Sequence, residues 1–238
     1  MPLTLERVAL VLESVPMSTN AGRRDRALVL LGFYGAFRRS ELSDLDIDQL
    51  LDDAGGVVVE LRRTKTSQTE AVYLPIPAFP GEPLCPVTAM RSWREAANIT
   101  SGPVLRPVNK ADRPEPRRLS PAGINRVVQR LVRHAGLADP SSYSAHSLRA
   151  GFVTTAKDRG LAEDTIMRHT RHKSVTIMRR YDRRAGLWVD NAALLVGVPP
   201  SAERPSYPKD SVTVTEVEAG RPSLPADTLH PGGSHGAQ

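Results

Sequence analysis

The chain is short of cysteine, aromatic rings, lysine and long apolar runs, and each shortage excludes something. A single cysteine, Cys85, rules out an internal disulfide. It directly precedes Pro86 at an apparent helix start, where core packing is its expected role. Aromatic residues make up 5% of the chain, too few for single-strand binding built on bases stacked against exposed rings. No apolar run reaches the length of a membrane span. The N-terminus lacks a basic stretch followed by an apolar one, so no secretory signal is expected. The expected location is the reducing cytoplasm. The histidines form no cluster with cysteine and no His-Glu-x-x-His pattern, so no metal and no other cofactor is expected.

Arginine is what the chain has in quantity. Net charge is +6, and only five of the 32 basic residues are lysine. Arginine forks match phosphate oxygens bidentately, which points to a polyanionic partner. With 40% hydrophobic residues in 238, there is material for a core, in one large domain or two small ones.

Periodicity and punctuation suggest a mainly α-helical α+β fold with one small antiparallel sheet. Thr4 is placed to cap "LERVALVLES", whose apolar residues recur at helical spacing. "PMSTNAG" breaks that helix, and a second runs from Arg23 to about Tyr34. A short helix follows near Ser40 to Leu45. "GVVVELRRTK" and "AVYLPIP" read as two strands joined by "TSQTE". Pro86 to Ala97 reads as a helix and 100–119 as a loop. Ser120 and Pro121 start a further helix that Gly136 stops. Its Arg126, Arg130 and Arg133 share one face as a basic stripe. More helices are expected at about 145–159, 162–170, 174–182 and 187–195. From Pro199 onward the composition turns to Pro, Ser, Gly and mixed charge, which predicts a disordered tail over 199–238 after a domain spanning 1–198.

Four segments carry candidate chemistry: "AFRRSEL" with Arg38 and Glu41, "RRTKTSQT" with Lys65, "SAHSLRAG" with His146 and Arg149, and "RHTRHKSVTIMRRYDRR" with His172 and Tyr181. A phosphodiester resists attack because its non-bridging oxygens are negative. Transfer needs that charge neutralised, a positioned nucleophile and a proton donor for the leaving oxygen. Arginines suit the first task. His146 and Arg149, spaced i, i+3, reach one point from one helix. On residues alone, Arg38 competes with Arg39, and His172 with His169.

In this order and spacing the segments resemble the active-site boxes of the tyrosine recombinases, the phage-integrase family, over roughly residues 3 to 195. The resemblance sets the register. The family's Arg-x-Ser-Glu-Leu pattern begins at Arg38, and Tyr181 lies nine residues past His172, with His169 out of register. It implies the tyrosine-recombinase (DNA breaking-rejoining) catalytic fold, with Arg38 and Arg149 on the scissile phosphate and Tyr181 as nucleophile. Lys65 is implied as acid on the leaving 5′ oxygen, His146 and His172 as groups acting on the nucleophile's proton and the phosphate, and Glu41 as support. One departure stands out: the family usually has glycine where this chain has Arg171, and arginine is strained there if φ is positive.

The implied activity is metal-free, ATP-free, site-specific DNA recombination through a 3′-phosphotyrosyl link. Two other readings are type IB topoisomerase-like relaxation and a catalytically silent DNA-binding remnant. The implied partner is double-stranded DNA, with Arg39, Arg62, Arg63, Arg126, Arg130 and Arg133 as its contacts. The resemblance implies a monomer when free that assembles as a tetramer on DNA by docking a C-terminal helix into the neighbouring subunit; "LWVDNAALLVGV" has the apolar face for such docking or for folding back on its own domain. The family's N-terminal DNA-clamp domain is expected to be absent, since the chain opens on the catalytic region.

Overall fold

The computed structural model describes residues 1–61 and 71–171. The expected "TSQTE" turn, the helices at 174–182 and 187–195 and the tail from 199 lie outside the described residues. The described part is mainly helical with one small antiparallel sheet. In chain order its elements are α1 (Leu5–Glu13), α2 (Asn20–Tyr34), α3 (Arg39–Asp44), β1 (Leu50–Asp53), β2 (Gly56–Leu61), β3 (Val72–Pro77), α4 (Pro86–Ala96), α5 (Pro121–His134), α6 (Ala145–Asp158) and α7 (Glu163–Thr170).

Helix α2 is the centre of the fold. Every residue from Ala27 to Tyr34 is buried, so this half of the helix has no solvent face and must be surrounded by other elements. Helices α4 and α6 pack against it. Trp93 of α4 is fully buried, and its Nε1 donates to Val104 O at 2.8 Å. Phe152 of α6 meets Phe33 edge to face, with centroids 5.8 Å apart.

The start of α2 differs from the sequence expectation. The helix begins at Asn20, three residues before Arg23. Thr19 Oγ1 accepts from Gly22 N at 3.0 Å, while the Asp112 carboxylate accepts from Asn20 N at 2.8 Å and Ala21 N at 2.9 Å. These bonds satisfy donors that a helix start otherwise leaves open. Asp112 lies in the 100–119 loop, far away in sequence, so its contribution has no local signature.

Thr4 also departs from expectation. It occupies the cap position of α1, yet its side chain makes no capping bond. The Leu5 N–H donates instead to Thr155 Oγ1 on α6, at 3.1 Å. Leu3 N donates to Ser147 O at 2.8 Å. Residues 3 to 5 therefore form a strap along α6. Gly151 makes this possible, because a Cβ there would lie 1.7 Å from Leu3 O.

The sheet has three strands, where the pattern suggested two. Its order is β1-β2-β3, all antiparallel, with Leu50↔Val59 and Asp53↔Gly56 in one pair and Gly56↔Pro77 and Leu61↔Val72 in the other. Strand β1 is the short segment "LLDD", whose two aspartates argue against a strand on propensity. Pairing with the buried valines of β2 overrides that preference. Pro75 and Pro77 fit β3, where an open edge lets a strand lack N–H donors.

Cys85 is buried as expected. It also caps α4: its Sγ accepts from Thr88 N at 3.4 Å and Phe79 N at 3.2 Å.

Alanine normally stabilises a helix relative to glycine. At Gly151 the added methyl meets backbone, so Gly151→Ala should do the opposite. We expect Tm to fall by at least about 5 °C, the equivalent of roughly 2 kcal/mol for a domain of this size. An unchanged or raised Tm in thermal unfolding would show that the strap does not bear on α6 this closely.

Candidate active site

Three elements bring the candidate side chains together: the turn from α2 into α3, the first turns of α6, and the end of α7. Helix α2 ends at Tyr34. Gly35 follows, then Ala36, which takes a left-handed conformation at φ 42°. Arg38 stands at the N-cap of α3, where its backbone N–H donates to Glu41 Oε2 at 2.8 Å. The Arg38 guanidinium reaches the same carboxylate, Nη1 to Oε1 at 2.6 Å, and its side chain keeps 47% exposure. Arg39, beside it, is exposed as the first residue of α3.

On α6, His146 is exposed in the first turn and Arg149 lies one turn on, only 4% exposed. Arg149 Nη1 donates to Ala36 O at 2.6 Å. Burial and then the nearby charges of Arg171 and Arg38 lower its pKa to about 10, so it stays protonated at neutral pH. Sequence reasoning placed Arg38, Glu41 and Arg149 in one site, and they do converge in the structure. Lys65, His172, Tyr181, Arg62 and Arg63 lie outside the described residues.

Arg171 is the member of the cluster that sequence reasoning missed. It caps α7 in the left-handed region, φ 58° and ψ 44°. Its side chain turns back over the α2–α3 turn and is 11% exposed. Nη2 donates to Glu41 Oε2 at 2.8 Å, and the guanidinium lies over the Phe37 ring, 5.6 Å from its centroid. Burial pushes the Glu41 carboxyl up. The Arg171 charge and the hydrogen bonds from Arg38 and Arg171 outweigh it and hold the pKa below its usual value. The available sequence signal was an arginine where a related chain would carry glycine.

His169, the rival of His172, sits in the core. It is buried, with Nε2 donating to Tyr34 O at 2.7 Å and its ring stacked on Phe152 at 4.7 Å. On α5, Arg126 and Arg133 are exposed, while Arg130 is ion-paired to the buried carboxylate of Asp25, which also binds Arg24. The stripe expected over Arg126, Arg130 and Arg133 is thus divided, because a buried carboxylate needs a cation more than the surface does.

The cluster sets three guanidiniums against one carboxylate, an arrangement suited to an anion. Residues 5–186 match the Phage integrase family. The chain belongs to that family. Its matched span contains Arg38, Lys65, His146, Arg149, His172 and Tyr181. Among family relatives, the chain is 35% identical over 192 residues to an integrase/recombinase XerD homolog from Selenomonas ruminantium, covering 80% of this chain and 56% of that one. It is similar in fold to the XerH site-specific recombinase bound to its difH substrate in a pre-cleavage complex, with TM-score 0.53 and 19% identity over 83% of this chain and 50% of that one. A post-cleavage XerH complex on palindromic difH gives TM-score 0.53 and 22% identity, over 73% and 46%. The chain spans about half the length of these relatives.

Burial lowers the His169 pKa to about 4, against the opposing bond to Tyr34 O, with the charges of Arg171 and Arg149 adding to the fall. The unfolded state therefore takes up this proton first, from about pH 6.5 downward. The contribution is fully present above that pH and is lost as pH falls toward 4, up to roughly 3 kcal/mol. Urea unfolding across this window should show a shallower pH dependence in His169→Gln, by nearly one proton. Equal slopes in the two proteins would place His169 in a more solvated setting.

Proposed function

We propose that this chain exchanges DNA strands at specific sites through a covalent tyrosyl intermediate. The observation that carries the reading is the pairing of a pinned, buried Arg149 with a half-exposed Arg38 beside it, in a chain of the phage-integrase family. Two permanently charged forks neutralise the non-bridging oxygens of the scissile phosphate and stabilise the charge that develops on them. The Tyr181 oxygen attacks phosphorus, and the bond to the 5′ oxygen breaks. DNA then carries a 3′-phosphotyrosyl link and a free 5′-hydroxyl, which Lys65 protonates as it leaves. His146 and His172 act on the tyrosine proton and the phosphate. A 5′-hydroxyl from a second duplex reverses the step. The covalent link conserves the bond energy, so neither ATP nor a metal is required.

Arg39, Arg62, Arg63, Arg126 and Arg133 are the proposed contacts to the DNA backbone. Arg130, committed to Asp25, contributes less. The chain is proposed to be monomeric when free and to assemble as a tetramer across two duplexes. The XerD-homolog relative favours strand exchange over topoisomerase-like relaxation, and the adduct assay below separates both from a silent DNA binder.

The test uses nicked suicide duplexes of random sequence, in which the cut strand diffuses away and traps the adduct. Wild-type protein should yield a denaturant-stable protein–DNA complex in excess EDTA, and Tyr181→Phe none. An adduct that survives in the Phe variant would remove Tyr181 from the site, and strict dependence on magnesium or manganese would sink the mechanism.

The clamp has its own signature. Arg38→Ala and Arg149→Ala should each slow cleavage on the order of a hundredfold with far smaller changes in DNA affinity. Arg39→Ala should be mild. The reverse order for Arg38 and Arg39 would shift the register of the first box by one residue.

A further inference from the structure

We propose that Arg171 is a positioning residue, which locks Glu41 and the Gly35–Ala36 turn so that Arg38 and Arg149 meet the phosphate in one fixed geometry. This rests on reading those two arginines as the phosphate clamp.

The backbone gives the first reason. Arg171 takes φ 58° at the end of α7, a conformation in which a side chain costs roughly 1 kcal/mol or more over glycine. A strained arginine is retained where its side chain returns more than that. Here it makes four hydrogen bonds to protein acceptors. Nη1 donates to Gly35 O at 3.2 Å and His169 O at 3.0 Å. Nη2 donates to Ala36 O at 3.3 Å and Glu41 Oε2 at 2.8 Å. A guanidinium has five N–H donors. The fifth, on Nε, is buried with no partner among the described residues. No donor is left facing outward, so Arg171 does not bind the phosphate itself.

Its acceptors are those of the clamp. Ala36 O also takes Arg149 Nη1 at 2.6 Å. Glu41 also takes Arg38 Nη1, and Arg38 Nη2 reaches Arg171 O at 3.3 Å. Each clamp arginine thus shares an anchor with Arg171. The ion pair joins α3 to the end of α7, where Arg171 directly precedes His172 in the sequence. A lysine would keep the charge and lose the fork, because three donors on one nitrogen cannot serve two carbonyls of one turn, a third carbonyl and a carboxylate.

The experiment compares Arg171→Gly, Arg171→Lys, Glu41→Gln and the Arg171→Gly/Glu41→Gln double variant on the duplex that wild-type protein selects. Glycine suits the backbone, so Arg171→Gly should bind DNA within about threefold of wild type. At saturating DNA its single-turnover cleavage should slow by at least about tenfold. The double variant should be no slower than the worse single one, since both break one ion pair. Arg171→Lys should stay at least about fivefold slow. In 13C-detected titration the Glu41 carboxyl, which faces Arg38, Arg149 and Arg171, should move its midpoint upward in Arg171→Gly. Wild-type cleavage in Arg171→Gly or Arg171→Lys, multiplicative losses in the double variant, or an unmoved Glu41 midpoint would each overturn the proposal. Should Arg171→Gly fail to fold, Arg171→Lys decides. If wild-type protein forms no adduct with any duplex, the strand-transfer reading falls by itself, and the Glu41 midpoint alone decides whether Arg171 holds that carboxylate.

Discussion

The Ala36 carbonyl ties the arginine cluster to the core. It closes a helix whose last turns are buried on all sides, and it accepts from both Arg149 and Arg171. The turn that presents it is tight: Ala36 is left-handed, and a Cβ on Gly35 would lie 2.2 Å from the Phe37 ring. Helix α2 cannot shift without disturbing its neighbours on every side, so neither can this carbonyl. Two arginines from separate helices inherit that rigidity. A preorganised donor is effective because it need not reorganise when charge develops on the substrate.

Gathering three guanidiniums carries an electrostatic cost. Burial removes Arg149 and Arg171 from water, and like charges repel. Glu41 answers most directly, as the acceptor of ion pairs from both Arg38 and Arg171. Backbone carbonyls do the rest, since they accept hydrogen bonds without adding a negative charge. The balance left over is positive, and a phosphodiester would complete it. The same balance holds nearer the start of α2, where buried Asp25 holds Arg24 and Arg130. There the carboxylate is the buried member, and one arginine of the expected DNA-facing stripe pairs with it while its side chain stays partly exposed.

Local chemistry was legible in the sequence wherever an element depends on its own residues. Ser120 and Pro121 started α5 as read, and Gly136 followed its end with φ 69°. The loop over 100–119 and the helices near 86, 145 and 163 held for the same reason. Elements that depend on distant partners were missed or misplaced. Strand β1 forms because β2 pairs with it. Helix α2 starts early because distant Asp112 joins the local cap Thr19 there, and α1 is capped by Thr155 in place of Thr4. The Arg171 departure was visible as a residue and even as a strained backbone position. Its bond to Glu41, 130 residues away, was not.

From sequence alone came the family and the frame: boxes of arginine, histidine, lysine and tyrosine in a family-specific order, on a mainly helical fold with a small sheet. Residue types and spacings encode such a site because one helix presents i and i+3 to one point, and because motif register is a local property. Tertiary structure alone decided which cations serve the fold and which face outward. Arg171 and Arg149 turn inward, to a carboxylate and a carbonyl, while Arg38 and Arg130 each pair with a carboxylate and stay partly open. That division follows from burial and from the position of acceptors, which exist only once distant segments have packed against α2.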